Sequence, residues 1–361
     1  MTTHCEVLVV GGGIAGTVSA ALLARSGLDV ALLFTAGRTR PRPELVSPEA
    51  ALHLQRLGFP VERLSEIAVR CPGVVDQFRR TTPVYVDFEL SRCASAWAVD
   101  RKRLDELLLS FAANCGLRMC RLTAPARMLT SGSNAYVSVS GNGHDIWRSG
   151  FLIDATGAAS TLAAAENRHR IRYDRLVAVC LPLSQPMEPA EWLHLSSSSA
   201  GWWYSLKTAK LSADAVFMTD ADLLPRNRDL IQSHLRTQFD KAFPAQSALL
   251  GTVARWTVRD ARTSVRCCLW RGRWLPVGDA AFTLDPLSGN GIGRALRMAD
   301  DIAALDWRMI LNGDYQELCQ AALALAKTFN QSLSQLQNLY SIDNAEGTHP
   351  PGEFWIRRRR Q

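Results

Sequence analysis

Short apolar runs punctuated by glycine dominate the first part of the chain. Glu6–Val10 reads as a buried strand and Ile14–Ser26 as a helix whose small residues face a sheet. Gly27 stops that helix, and Leu28–Phe34 completes a βαβ unit. Thr35–Ser47, rich in proline and arginine, reads as loop, and a helix over Pro48–Leu57 stops at Gly58. Thr82–Leu90 alternates like an exposed strand. Arg101–Asn114 is helical, with Leu104, Leu107 and Leu108 on one face. Strands are predicted around Arg118–Arg121, Tyr136–Ser140 and Gly150–Asp154.

From about Arg170 to Ser264 the pattern changes to β-periodicity. Strands are predicted at Leu176–Leu183, Gly201–Leu206 and Ala213–Thr219, followed by a helix over Asn227–Phe239. This reads as a separate sheet inserted into the first fold. Ile292–Leu311 and Tyr315–Leu339 read as two helices, and the chain from Ile342 as an irregular extension. Beyond the serine run Ser196–Ser199 there is no low-complexity tract and no internal repeat.

Composition narrows the class. The 361 residues are 47% apolar and 21% charged, an ordinary globular balance with length for one large or two intimate domains. The net charge of +7 comes overwhelmingly from arginine. A basic surface favours acidic partners or peptides; without a basic stripe interleaved with aromatics, nucleic acid is not expected. The dense run Arg357–Arg360 reads as a solvated chain end. Nine cysteines form no C-x-x-C pair, and the vicinal Cys267–Cys268 reads as buried structural thiols in a strand. That usage points away from disulfides and zinc and toward a reducing cytoplasm. The start lacks the basic stretch of a signal peptide, and apolar runs fall well short of a membrane span. No metal site is expected.

Two glycine-rich loops carry the chemistry. Gly11, Gly13 and Gly16 meet G-x-G-x-x-G in a strand–loop–helix context. Gly11 allows the tight turn, Gly13 the approach of a pyrophosphate, and Gly16 close helix packing. The second loop, Val277–Gly293, carries Gly278, Asp279, Pro286, Gly289, Gly291 and Ile292. Asp279 is an acceptor-only carboxylate suited to sugar or ribityl hydroxyls, and backbone amides at Ile292 can stabilise negative charge. Together the loops imply one long diphosphate cofactor, FAD. One element departs from the pattern: Phe34 stands where an acidic residue usually accepts the ribose hydroxyls, leaving Thr35 and Arg38 as substitutes.

Further motifs resemble the flavin-dependent monooxygenase and halogenase superfamily with the p-hydroxybenzoate hydroxylase fold. AVDRKRLDELL, with Arg101, is similar to the stretch whose arginine contacts FAD. FLIDATGAAS places Asp154, Thr156 and Gly157 at an Ala-Thr-Gly turn, and WLPVGDAAFTLDPLSGNGIG resembles the distal FAD motif. The resemblance implies an α/β fold: a Rossmann-like FAD-binding domain, an inserted β-sheet substrate domain and C-terminal helices. It divides the chain into FAD-binding parts over 1–75, 96–170 and 265–300, substrate-sheet parts over 76–95 and 171–264, and C-terminal helices with the basic tail over 301–361.

The implied activity is monooxygenation of an aromatic substrate through a flavin hydroperoxide. GWWYSL (Gly201–Leu206), VFMTDADLL and RPRPELVSP resemble a narrower branch, flavoproteins that mature tryptophylquinone cofactors. For that branch the substrate is a peptidyl tryptophan in a partner oxidase or dehydrogenase subunit. Trp202, Trp203 and Tyr204 would line its site, with electrons from NAD(P)H or a flavin reductase. Glu44, Asp285 and His53 are the candidate acid or base residues. The alternatives are a halogenase, a reductase or dehydrogenase on the same scaffold, and a non-catalytic maturation or binding factor. Halogenation would need a relaying lysine, yet none of Lys102, Lys207, Lys210, Lys241 and Lys327 lies in the segment Arg70–Thr82 where that family places it.

Overall fold

The structure, a computed structural model, describes residues 2–35, 43–78, 82–92, 95–130, 137–140, 142, 145–159, 162, 169–208, 214–251, 255–341 and 352–359. It is an α/β fold built on two large sheets. In the first, the near-continuous apolar strands Thr2–Val10 and Val30–Thr35 lie parallel, as buried strands covered on both faces should. Ile146–Asp154 runs parallel on the other side of Thr2–Val10, and Arg118–Leu122 and Trp274–Pro276 extend the sheet. Val137–Ser140 and Arg127–Thr130 close one side antiparallel. Helices Ile14–Arg25, Arg101–Ala113 and Gly291–Ala303 pack together over this sheet, joined through Ile14, Val18, Leu104, Leu108, Ile292 and Leu296.

The second sheet runs in the order Thr257–Asp260, Leu176–Pro182, Asp214–Asp220, Gly201–Leu206, Leu193–Ser198, Gly73–Gln77 and Val84–Asp87. Its two faces are both covered. Helix Arg228–Ala242 lies on one, against Trp203, Phe217 and Leu181. Helices Gln316–Ser341 and Glu353–Arg359 cover the other, with Leu336, Tyr340, Phe354 and Trp355 against Trp202 and Met218. Among the described residues no helix is long and apolar enough to cross a membrane.

Several elements differ from the sequence pattern, each for a local reason. Within Thr35–Ser47, Pro43–Val46 is a strand, because Ala96–Asp100 offers it a ladder; 36–42, with Arg38, lie outside the described residues. Thr82–Leu90 splits into strand Val84–Asp87 and helix Phe88–Arg92, where the Asp87 carboxylate accepts from the amides of Glu89 and Leu90. Ile292–Leu311 is two helices, since Asp306 caps a new one over Trp307–Leu311. The serine run sits in strand Leu193–Ser198 with Ser196 and Ser198 buried at period two. Cys267 is exposed and Cys268 half-buried, beyond strand Ser264–Arg266 rather than inside it. Tyr136, Ala213, Lys210 and Arg360 lie outside the described residues.

The arginine tail is the largest correction. It forms helix Glu353–Arg359, and Arg358 is buried rather than solvated. Its guanidinium forks onto Asp220 at 2.9 and 3.2 Å and lies 3.7 Å from the centre of the Phe354 ring. Arg357 reaches Asp222 at 2.9 Å and Asp220 at 3.3 Å. Burial works against the Arg358 charge, but Tyr340, Asp220 and Asp285 outweigh it and raise its pKa. An end of this kind reads as solvated because its partners lie more than a hundred residues away in sequence.

Candidate functional site

The N-terminal glycine loop leaves strand Thr2–Val10 at Gly11, which adopts φ +125°. A Cβ there would fall 2.1 Å from the Ala155 carbonyl oxygen, and one at Gly16 would fall 2.0 Å from the Gly11 oxygen. Both glycines are therefore demanded by the chain itself: the loop is pressed onto the Ala155–Thr156 turn. Asp154 shapes that turn from behind. Its fully buried carboxylate accepts from the Thr156 amide at 3.0 Å and the Thr156 hydroxyl at 2.6 Å. Burial raises its pKa, against the pull of Thr156 and Arg266. Gly157 follows on the open side with φ +75°.

Gly13 and Gly291 are different. Neither has a positive φ, and a Cβ would meet only the Arg101 guanidinium, at 3.7 Å, at Gly13 and nothing within 4 Å at Gly291. Nothing in the chain requires glycine at either place. Each begins or precedes a helix with no side-chain cap: Gly13 is the N-cap of Ile14–Arg25, and Asn290 that of Gly291–Ala303. By contrast Ser47, Asp100 and Asn227 cap the helices Pro48–Arg56, Arg101–Ala113 and Arg228–Ala242 through their side chains. Neither uncapped helix has an acidic residue in its first turn. Ile14 and Ile292 share one apolar cluster, so the two helix starts lie side by side. Two bare helix N-termini, each with glycine clearing its approach, fit an extended ligand carrying phosphate at one end and a charge-accepting ring at the other.

The second loop lies against the first. Gly278 would place a Cβ 2.8 Å from that of Ala15, and its amide points to the Met298 sulfur at 3.2 Å. Between buried Gly278 and Ala280, the Asp279 side chain projects outward, 59% exposed, with Arg294 at 3.5 Å. Arg101 faces the same space. It is held by Asp105 at 2.8 Å and Glu44 at 3.1 Å. Burial opposes its charge, yet Glu44, Asp105 and Asp279 raise its pKa. Glu44 thus serves as a partner of Arg101. Phe34 closes the end of the second strand, its Cβ 2.7 Å from where a Gly12 Cβ would stand.

Beyond Asp279 the chain makes a tight turn, Pro286–Ser288, followed by Gly289 with φ +62°. Asp285 caps this turn, accepting from the Leu287 amide at 2.9 Å, and its other oxygen accepts from the Tyr340 hydroxyl at 2.7 Å. The carboxylate thus bridges the turn to Tyr340, beside a small cavity of about 20 Å³ lined by Asp174, Thr263, Tyr340 and Arg358 among others. Burial raises its pKa to about 6, against the pull of Arg358 and the Leu287 amide. His53 is not brought to this groove: its Nε2 lies 3.1 Å from Asp300, between two helices.

The aromatic triplet divides. Trp202 and Tyr204, 5.9 Å apart, belong to the sheet face that also meets Leu287 of the turn. Trp203 points the other way, stacked on Phe217 at 4.5 Å and edge-on to Phe239, so it packs the core behind the sheet. Adjacent strand residues must face opposite sides, a signal already present in the sequence. Sequence reading missed Arg294, Tyr340 and Arg358, whose partners are distant in the chain.

Known proteins share the fold that carries this groove. The sequence profile of the family described as FAD binding domain matches residues 4–315. A menaquinone reductase of Mycolicibacterium smegmatis is 28% identical over 82% of this chain and 75% of its own. The putative FAD-dependent oxidoreductase LodB of Marinomonas mediterranea is 24% identical over 98% of this chain and 96% of its own. The flavin-dependent halogenase armH5 of Armillaria mellea is 24% identical over 80% of this chain, which spans only 62% of that halogenase's length. Among solved structures, the flavin-dependent halogenase CmlS superposes with a TM-score of 0.79 at 21% identity, covering 99% of this chain and 68% of that one. QhpG, a peptidyl tryptophan dihydroxylase essential for tryptophylquinone cofactor biogenesis, superposes with a TM-score of 0.77 at 20% identity, covering 99% and 79%. The chain belongs to the FAD binding domain family, an FAD-dependent oxidoreductase with FAD as its cofactor.

Proposed function

We propose that the protein is a monooxygenase that hydroxylates an electron-rich aromatic ring, a tryptophan side chain in a partner's peptide being the substrate favoured. The observation that carries this reading is the partly exposed ring of Tyr204, on the sheet face that meets Leu287 of the Pro286–Ser288 turn, with Trp202 buried behind it under the C-terminal helices. Such a face stacks an indole and needs no strong base beside it. Bound FAD supplies the redox chemistry and the reaction with oxygen. The chain's own residues would hold it: Gly13 and the Ile14 helix start at the pyrophosphate, with Thr156 and Gly157 beside them. Arg101 and Asp279 would flank the sugar and ribityl hydroxyls, and Pro286, Gly289, Gly291 and the amide of Ile292 the flavin ring.

The lysines speak against halogenation. Among the described residues Lys102 pairs with Glu106 and Lys207 with Glu191 at the surface, and Lys241 and Lys327 are exposed. A peptide substrate agrees with the +7 net charge and with the fold shared with QhpG. Electrons would come from NAD(P)H or a flavin reductase.

The test is to give the reduced, FAD-loaded protein air and a tryptophan-containing peptide, with and without bromide, and to identify products by mass spectrometry. Addition of oxygen to the indole supports the reading. A halogenated product, or flavin reoxidation with every aromatic substrate untouched, overturns it in favour of a halogenase or a binding factor.

A further inference from the structure

The backbone that carries Asp279 is held from behind by two arginines that no glycine motif announces. Arg170 and Arg266 face each other as partners across the antiparallel strands Arg170–Arg172 and Ser264–Arg266. Arg170 donates from Nη1 to the carbonyl oxygens of Asp279 at 3.2 Å and Ala280 at 3.1 Å, while its Nε donates to the Ser264 hydroxyl at 3.0 Å. Arg266 donates from Nε to the same Ala280 oxygen at 3.0 Å, and its backbone amide to the Ala281 oxygen at 3.0 Å. Three guanidinium bonds thus converge on two successive carbonyls. Fixing those carbonyls backward fixes the direction in which the Asp279 side chain leaves the turn.

The arrangement is costly by itself. The Arg266 side chain is wholly buried, with its Nη2 3.9 Å from Asp154 and its guanidinium 5.2 Å from the centre of the Trp274 ring. Burial and the neighbouring Arg266 together bring the Arg170 pKa down to about 10. Two cations kept this close, where a neutral polar pair would satisfy the same carbonyls, call for a function beyond packing. The two strands also lie at two of the chain's crossings: one precedes the Leu176–Asp260 part of the inserted sheet and the other follows it.

We propose that Arg170 and Arg266 are positioning residues that clamp the Asp279 turn in its FAD-binding geometry. Because one arginine sits at each of these crossings, the clamp also ties the cofactor turn to the orientation of the inserted sheet.

Arg170→Ala, Asp279→Asn and their combination test this in the full chain, with FAD titrated into the apoprotein and its fluorescence followed. The apoprotein's Tm is measured alongside. The clamp predicts that Arg170→Ala raises the FAD Kd at least fivefold. It also predicts that Asp279→Asn weakens binding less in the Arg170→Ala background than in the native one, because the arginine acts through that side chain. Arg266→Lys, which keeps the charge but loses the Nε donor to Ala280, raises Kd as well and shifts the visible flavin band. A Kd for Arg170→Ala within twofold of native, or effects of the two substitutions that simply multiply, would overturn the proposal and leave a packing role read only in Tm. Should Arg266→Lys fail to fold, the Arg170 and Asp279 cycle decides alone.

Discussion

Replacing Arg358 by methionine removes the cation that the C-terminal helix brings to the inserted sheet. Arg358 and Asp220 both have side chains 3% exposed, and the fork between them measures 2.9 and 3.2 Å. Breaking a buried pair by deleting one partner costs about 3–5 kcal/mol, because the remaining charge stays desolvated. Here Arg357, 3.3 Å from the same carboxylate, offers partial compensation, so the lower end applies. The loss is also capped by undocking of the helix. Phe354 and Trp355 are buried beneath it, and two such side chains hold it by about 3–6 kcal/mol. With an unfolding entropy of about 2.1 cal/mol/K per residue, 3 kcal/mol corresponds to a Tm lower by roughly 4 °C for a chain of this length. Differential scanning calorimetry reads that shift, and limited proteolysis reads release of the chain end. Asp220→Asn in the Arg358→Met background should restore part of the loss by removing the uncompensated carboxylate. A Tm within 1 °C of native, roughly the width of the measurement, together with an unchanged cleavage pattern, would refute the buried-pair reasoning.

Three further outcomes follow from the site. Asp279→Ala should purify without flavin, and stoichiometric yellow protein would contradict its place in the cofactor groove. Asp285→Asn tests the buried carboxyl. A pKa raised to about 6, against an unfolded value of about 3.9, means this group destabilises the fold progressively as pH rises from 4 to 6. The asparagine variant, which still accepts a hydrogen bond, should therefore gain stability relative to native over that window, by up to roughly 3 kcal/mol. A Tm difference independent of pH from 4.5 to 7.5 would refute that shift. Trp203→Ala, emptying a site between Phe217 and Phe239, should cost about 3–5 kcal/mol of stability. Tyr204→Ala, at the partly exposed position, should instead raise KM for the aromatic substrate with a smaller loss of Tm, and equal losses of Tm for the two would contradict their difference in burial.

What could be read from the chain depended on the range of the interaction. The dinucleotide fold was legible because its glycines recur at fixed short spacing between a strand and a helix, Gly16 closing on Gly11; that Gly11 also presses on Ala155, far along the chain, only the structure shows. The bare helix starts at Gly13 and Gly291 were visible as glycines, but only the geometry separates them from Gly11, whose glycine the chain itself requires. Phe34 marked a real departure, and its packing on Gly12 shows the position filled by an apolar ring. The arginine tail, the Asp285–Tyr340 bond and the clamp on Asp279 were not legible. Each joins residues from 14 to 138 apart in sequence, and a charge run carries no mark of a partner that distant. Trp202 and Trp203 were separable by strand alternation, while which of them faces the turn was set by the helices covering each side.

The proposed reaction places one atom of molecular oxygen on an aromatic ring. The most direct measurement supplies isotopically heavy oxygen gas to the reduced FAD-loaded protein with a tryptophan-containing peptide and locates the label by tandem mass spectrometry. The account predicts heavy oxygen on the indole of the product. Label absent from the peptide, oxygen drawn from water, or a halogen in its place would contradict it.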